Sequence, residues 1–330
     1  MKIAVLGAGA WGTALAIALS GRHDIRLWAR NTDLGLALNE SRINARYLPG
    51  ARIPDAVDIV TDAKSALEGA NLALVAVPIA GLREALRSIG ARTQTCDVVW
   101  LCKGFESSSA KFPHQVAAEE LPARHRYAAL SGPSFADEVA HGLPTAVTLA
   151  SHDAEFSVTM ARELHTGRLR VYSSDDLPGV ETGGAVKNVI AIAAGVSDGL
   201  KLGASARAAL ITRGLAEITR LGLQLGGRLE TFMGLAGMGD LVLTATSDLS
   251  RNRRVGLQLA AGKPLPEIVA ALGHVAEGVS TAREVRRLAA KMRIEMPITQ
   301  TVCRLLDGAV SAQGAVEELL QREPGLESRH

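Results

Sequence analysis

A glycine-rich turn between a strand and a helix, at the very start of the chain, constrains the fold more than any other feature. Lys2–Gly7 reads as an apolar strand and Trp11–Ser20 as an apolar helix, and Gly7-Ala8-Gly9-Ala10-Trp11-Gly12 joins them as a G-x-G-x-x-G pattern. In that setting Gly7 permits a tight turn, Gly9 lets backbone approach a pyrophosphate, and Gly12 lets the helix lie close against the strand. The helix N-terminus adds N–H groups and a dipole that favour phosphate. The competing reading is a glycine-rich turn in an α/β fold that binds no nucleotide. The flanking strand and helix weigh against it.

Beyond the turn the chain keeps alternating between strand and helix. Candidate strands are Ile25–Ala29, Asp58–Thr61, Leu72–Val77, Val98–Cys102, Tyr127–Leu130, Thr145–Ala150 and Leu169–Tyr172. Several are unbroken apolar runs, the mark of strands covered on both faces. Helical patterns such as Asp62–Glu68 and Ile79–Ile89 lie between them. This alternation predicts an α/β fold with an N-terminal Rossmann-like, doubly wound and largely parallel sheet. After Pro178 the strand signal fades. Helices are expected over Val180–Gly195, Ser205–Leu221, Arg253–Ala261, Pro266–Leu272, Thr281–Met292 and Thr299–Leu306. The expected domains are a dinucleotide-binding domain over 1–178 and an all-helical substrate and catalytic domain over 179–330. The polar stretch Ser173–Gly179 is the junction. A chain of 330 residues fits about two domains.

Composition narrows the function. With 47% apolar residues but only 3% aromatic ones, the core must be built from Ala, Val, Leu and Ile. A net charge of +2 argues against a general nucleic-acid binder. The three cysteines, Cys96, Cys102 and Cys303, lack metal spacing and read as thiols of a reducing compartment. No leader or membrane-spanning run is read from the chain, so a cytoplasmic protein is expected. The histidines are dispersed without an H-x-x-x-H pair, so no metal site is expected.

Lys187 is the most telling single residue. It falls in Val180-Glu-Thr-Gly-Gly-Ala-Val-Lys187-Asn188-Val-Ile-Ala. On a helix it shares a face with Gly183, Gly184, Ile190, Ala191 and Ala194. An ammonium on so small and apolar a stripe is costly unless a partner or a reaction needs it. Desolvation lowers a lysine's pKa toward the range useful for proton transfer.

Other candidates lie at loop positions. After the second strand, where an acid usually meets the ribose 2′-OH, the chain has Arg30, suited to a 2′-phosphate or simply solvated. NADP is therefore the expected cofactor, with NAD possible. Lys103, after a strand, meets a ligand or is a surface lysine. In Ser131-Gly132-Pro-Ser134-Phe-Ala136, Gly132 and Ser134 offer donors, and Ser134 could also cap a helix. Asp240, in Gly237-Met-Gly239-Asp240, pairs with Lys187 or caps a helix. Ser250-Arg251-Asn252-Arg253-Arg254 suits oxyanion binding, or is a capped helix start with a solvated basic face.

Together these segments resemble the bacterial-type NAD(P)-dependent glycerol-3-phosphate dehydrogenases. The matching stretches are 7–16, 103–106, 131–136, 180–191, 234–241 and 247–254, in the family's order and spacing. Cys102 departs from it, standing where a threonine is common. The resemblance implies reversible reduction of dihydroxyacetone phosphate to sn-glycerol 3-phosphate, supplying phospholipid synthesis. It implies Lys187 as general acid/base, with Lys103, Gly132, Ser134, Asp240, Ser250, Arg251 and Asn252 at the substrate. It implies Trp11, Arg30, Lys103, Ala136, Arg251, Val275 and Glu277 at the cofactor, beside Gly7, Gly9 and Gly12 of the glycine turn. A small phosphorylated substrate is the expected partner, and the apolar helical domain suggests a homodimer. Two rivals share parts of the pattern: a β-hydroxyacid or 6-phosphogluconate-type dehydrogenase, and a redox sensor that holds NADP without turnover.

Overall fold

The computed structural model describes residues 1–107, 109–272 and 276–322. They fall into two units: Met1–Lys103 with Lys111–Leu177, and Gly104–Ala110 with the chain from Pro178 onward. The segment 104–110, which the sequence pattern places with the first domain, thus belongs to the second unit.

The strands of the first unit are β1 (Lys2–Leu6), β2 (Asp24–Trp28), β3 (Ile43–Asn44), β4 (Leu48–Arg52), β5 (Val57–Val60), β6 (Leu72–Val75), β7 (Asp97–Trp100), β8 (Tyr127–Ser131), β9 (Thr145–Ala150) and β10 (Leu169–Ser174). Eight of them form one sheet in the order β10-β9-β8-β7-β6-β1-β2-β5. Every neighbouring pair is parallel except β8 and β9. The largely parallel α/β sheet expected from the sequence is therefore present, with β9 and β10 running against the rest. Helices α1 (Ala10–Leu19), α2 (Thr32–Ser41), α3 (Ala63–Leu67), α4 (Ile79–Gly90), α5 (Pro113–Glu120), α6 (Ala136–Ala140) and α7 (Ala154–Leu164) complete the unit.

Burial explains the strand order. Ile3, Ala4 and Val5 of β1 and Leu72–Val75 of β6 are fully buried, as befits interior strands with a neighbour on either side. Each large apolar side chain so placed contributes roughly 1.5–3 kcal/mol relative to exposure. Strand β5, with exposed Asp58 between buried Val57 and Ile59, sits at the edge. From β1 the chain moves outward to β2 and β5, then returns to β6 on the other side of β1. The crevice beyond the carboxyl ends of strands at such a reversal is where open α/β sheets bind ligands.

The sequence pattern predicts no strands at β3 and β4. They form a short antiparallel hairpin with an irregular register. Its stretch Ile43-Asn-Ala-Arg-Tyr-Leu-Pro-Gly-Ala-Arg52 alternates apolar and polar residues only as far as Tyr47, in the phase that buries Asn44 rather than Ile43 and Ala45, and the Pro-Gly pair then breaks the pattern. Its buried Leu48 and Ala51 pack with Ala14 of α1 and with Ala136 and Val139 of α6.

From Leu177 onward the described residues carry helices and no strand: α8 (Leu177–Gly199), α9 (Ala204–Gln224), α10 (Leu229–Met233), a π-helical turn (Leu235–Gly239), α11 (Asp240–Thr246), α12 (Arg251–Ala260), α13 (Leu265–Leu272), α14 (Glu277–Met292), α15 (Pro297–Leu306) and α16 (Ala312–Leu320). Every residue of α8 from Gly179 to Ser197 is buried, as expected of a helix apolar on all sides. It meets α12 where a Cβ on Gly195 would lie 2.0 Å from the Arg253 carbonyl oxygen. Helices α12 and α14 begin earlier than the sequence pattern suggests, at Arg251 and Glu277. No helix among the described residues is long and apolar enough to cross a membrane.

One buried carboxyl ties two of these helices together. Glu217 of α9 accepts the N–H groups of Ile298 (2.6 Å) and Thr299 (3.2 Å) and the Thr299 hydroxyl (3.0 Å), so it caps α15 from outside that helix. Burial raises its pKa to about 7 from 4.5, outweighing the three hydrogen bonds that favour the carboxylate. The folded protein then keeps a proton that the unfolded chain releases. This contribution to stability is complete below pH 4.5 and is lost as pH rises through about 7. We expect the melting temperature to fall between about pH 5 and pH 8. That part of the slope should be missing in Glu217→Gln, as thermal melts at matched ionic strength would show.

Candidate active site

In the first unit the glycine turn leaves the carboxyl end of β1. Gly7 has a φ of 118° and donates its N–H to the Trp28 carbonyl at 3.1 Å. A Cβ on Gly12 would lie 1.9 Å from the Gly7 carbonyl oxygen, so contact between α1 and the turn excludes any side chain there. Gly9 is different. Its φ is −77°, which any residue adopts, and a Cβ there would meet no protein atom within 4 Å. Neither strain nor packing requires glycine at position 9. A ligand approaching the backbone would, and α1 has no side-chain cap at its N-terminus to compete for the N–H groups.

The neighbouring candidates occupy the same sheet edge. Arg30 is exposed in the turn after β2, just before Asn31, which caps α2 by accepting the Leu34 N–H (2.7 Å). Trp11 is half-buried in α1 and packs toward the cluster that contains Ala136. Lys103 is half-buried beyond β7. Gly132 follows β8 with a φ of 138°, and a Cβ there would approach Val147 Cα to 3.0 Å. The Ser134 hydroxyl donates to the Gly132 carbonyl (3.0 Å). Helix α6 is instead capped at Phe135, without a side-chain bond, so Ser134 does not act as its N-cap. Ser131, at the carboxyl end of β8, buries its Oγ with no hydrogen-bond partner among the described residues. Such a hydroxyl costs about 1–3 kcal/mol unless something else meets it.

In the second unit Lys187 is buried, with 6% of its surface exposed. Its Nζ pairs with Asp240 Oδ1 and donates to Thr244 Oγ1 at 2.9 Å. Asp240 is the first residue of α11 and Thr244 lies one turn further on. The Thr244 hydroxyl donates to the Asp240 carbonyl (2.6 Å), which leaves its oxygen lone pairs facing Nζ. Of the two readings open for Asp240, the geometry gives the pair with Lys187; α11 has no side-chain cap. Thr244 is absent from the residues that the sequence singles out. The available signal was its place four residues after Asp240, on the same helix face.

The basic run after Ser247 divides by helical position. Ser250 caps α12 by accepting the Arg253 N–H (3.2 Å). Arg251 and Arg254 are exposed. Arg253 is buried and structural: it pairs with Asp198 Oδ2 (2.7 Å) and Asp248 Oδ1 (2.6 Å), while Arg207 also holds Asp198 (3.1 Å). Asn252 is buried, donates to Asn188 Oδ1 (2.9 Å) and accepts the Gly278 N–H (3.0 Å). It therefore links α8, α12 and the first turn of α14, which starts at the half-buried Glu277. Val275 lies outside the described residues.

A glycine turn on a largely parallel sheet and a lysine-centred polar cluster on helices are thus both present in this chain. Residues 2–157 match the N-terminal half, and residues 176–317 the C-terminal half, of the NAD-dependent glycerol-3-phosphate dehydrogenase family. The glycerol-3-phosphate dehydrogenase [NAD(P)+] of Dechloromonas aromatica is 60% identical over 324 residues, covering 98% of both chains. The protein of the same name from Nitrosospira multiformis is 60% identical over 328 residues. A crystal structure of glycerol-3-phosphate dehydrogenase from Coxiella burnetii matches with a TM-score of 0.92 at 46% identity, covering 97% of this chain and 98% of the other. The chain belongs to the NAD-dependent glycerol-3-phosphate dehydrogenase family.

The contrast between the glycines is testable. Gly9→Ala should leave the melting temperature near that of the parent protein and weaken binding of reduced nicotinamide nucleotide. Gly12→Ala should destabilise the fold, by about 1–3 kcal/mol or more as an overpacking change. Urea melts and nucleotide fluorescence titrations on both variants would separate the two effects.

Proposed function

We propose that this chain catalyses the reversible NAD(P)H-dependent reduction of dihydroxyacetone phosphate to sn-glycerol 3-phosphate, with Lys187 as general acid/base. One observation carries the reading: the buried Lys187 ammonium held by Asp240 and Thr244, in a chain matching both halves of the family. The product would feed phospholipid synthesis, and the enzyme would act as a homodimer.

The first unit would hold the dinucleotide. Gly7, Gly9, Gly12 and the α1 N-terminus face the pyrophosphate, and Arg30 suits a ribose 2′-phosphate, so NADPH is the preferred form and NADH the weaker one. The unobstructed backbone at Gly9 and the orphaned Ser131 hydroxyl both fit a ligand along this edge. By the family resemblance, Trp11, Lys103 and Ala136 of this unit would add cofactor contacts, as would Arg251, Val275 and Glu277. Bound there, the reduced nicotinamide supplies a hydride for the ketone carbon.

The rest of the chemistry belongs to this chain's own side chains. As the ketone carbon gains the hydride, the carbonyl electron pair moves onto oxygen. The Lys187 ammonium stabilises that developing charge and then gives the oxygen its proton. In the reverse direction the neutral amine takes the hydroxyl proton. Asp240 and Thr244 keep Nζ in one place through both steps. Ser250, Arg251 and Asn252 hold the substrate phosphate, with the exposed Arg251 guanidinium as its forked donor. Lys103, Gly132 and Ser134 line the substrate.

The direct test follows loss of reduced-nicotinamide absorbance with dihydroxyacetone phosphate, with NADPH and NADH in parallel and unphosphorylated dihydroxyacetone as control. Turnover that depends on the phosphate supports the reading; no turnover by folded, nucleotide-binding protein overturns it. Lys187→Ala should lower kcat roughly 10²–10⁴-fold while keeping nucleotide affinity. Arg251→Ala should raise KM for dihydroxyacetone phosphate roughly ten- to hundredfold, as expected for losing a charged hydrogen bond. An unchanged KM would place the phosphate contact elsewhere.

A further inference from the structure

The β3–β4 hairpin takes no part in the proposed reaction, yet one of its side chains reaches beneath the glycine turn. Asn44 is fully buried, as is Thr13 of α1. The Asn44 Nδ2 donates to the Ala8 carbonyl oxygen (3.0 Å) and to Thr13 Oγ1 (2.8 Å), and its Oδ1 accepts the Tyr47 N–H (3.3 Å). A carbonyl only accepts and a backbone N–H only donates, so these partners fix which way the amide points.

The bond to Ala8 matters for geometry as well as for satisfaction. In a trans peptide the C=O and the following N–H point in opposite directions. The Ala8 carbonyl shares its peptide plane with the Gly9 N–H. With that carbonyl turned inward onto Asn44, the Gly9 N–H faces away from the protein interior. This peptide turns about ψ of Ala8 and φ of Gly9, and a glycine at position 9 accepts either sign of φ. Without the inner bond the peptide is free to turn over, aiming its carbonyl at an incoming phosphate and withdrawing the donor. The hairpin is itself anchored. Leu48 and Ala51 pack on α1 and α6, and His141 after α6 bonds the Gly50 carbonyl through Nε2 (3.0 Å).

We propose that Asn44 is a positioning residue for the dinucleotide, locking the Ala8–Gly9 peptide with its N–H toward the pyrophosphate. This rests on the reading of the glycine turn as the nucleotide site. Thr13 is the second anchor of the lock, and the hairpin is the strap that carries it.

Asn44→Asp is the discriminating variant. It keeps the size of the side chain and an oxygen for the Tyr47 N–H, but sets an acceptor against the Ala8 carbonyl. Asn44→Ala, which only deletes the amide, is the companion should the aspartate variant fold poorly. Nucleotide affinity is read by NADPH fluorescence titration without substrate, beside thermal melts and a KM-against-kcat split. The expected result is a Kd for NADPH raised roughly ten- to hundredfold in a folded variant. The KM for nucleotide should rise with it, while kcat at saturating nucleotide is retained. Thr13→Val should give a smaller shift in the same direction. Unchanged NADPH affinity in both folded Asn44 variants overturns the proposal. So does a parallel decline of melting temperature, kcat and both KM values, which would mark Asn44 as a general packing residue. Parent protein that binds neither NADPH nor NADH overturns the assigned function and this proposal with it, a result distinct from any seen in the variants alone.

Discussion

An ammonium inside a helix that is buried on every side must be answered by an anion, and the second unit is arranged around that answer. Lys187 sits midway along α8, where Gly179 to Ser197 are all buried. Leaving its charge without a partner there would cost several kcal/mol. Asp240 supplies the carboxylate from the first turn of α11, and Thr244 adds a hydroxyl from the next. Gly183 of α8 lets the backbone before Asp240 come close: a Cβ there would lie 2.5 Å from the Ala236 carbonyl oxygen. The turns around α8 are thus shaped by the need to bring one carboxylate to one amine.

The first unit answers a different demand, that of presenting backbone donors. A largely parallel sheet with β1 and β6 in its interior delivers a turn at the carboxyl end of β1, and α1 continues from that turn. Packing fixes one end of the turn, because α1 lies against the Gly7 carbonyl at Gly12. The orientation of the peptide between Ala8 and Gly9 is fixed from below, by a side chain on a hairpin more than thirty residues later in the chain. A recurring strand–turn–helix thus gets part of its geometry from a neighbour that is not in the motif.

Legibility in the sequence followed the strength of the local signal. Unbroken apolar runs such as Leu72–Val75 and the glycine turn were readable because burial on both faces and tight backbone approach each leave a compositional mark. The hairpin Ile43–Arg52 left a mark out of phase with its burial: Ile43 and Ala45 are exposed and Asn44 between them is buried. Its buried residues, Asn44, Leu48 and Ala51, do not follow the alternation of a strand. The basic run 251–254 was readable as a cluster but not as a division of labour. Only the helix phase shows that Arg253 turns inward to Asp198 while Arg251 and Arg254 face out. The hydroxyl of Ser134 looked like a cap, and the structure spends it on the Gly132 carbonyl instead.

By itself the sequence determined the α/β class, the helical second half, the nucleotide motif and the family, because these depend on periodicity and on ordered local motifs. The tertiary structure decided which charges meet and which way donors point. Lys187 and Asp240 are 53 residues apart, and Asn44 and Ala8 are 36 apart. No local pattern encodes such pairs. They exist because burial makes an unpaired ammonium or carbonyl costly, and the fold is the arrangement that brings each one its partner.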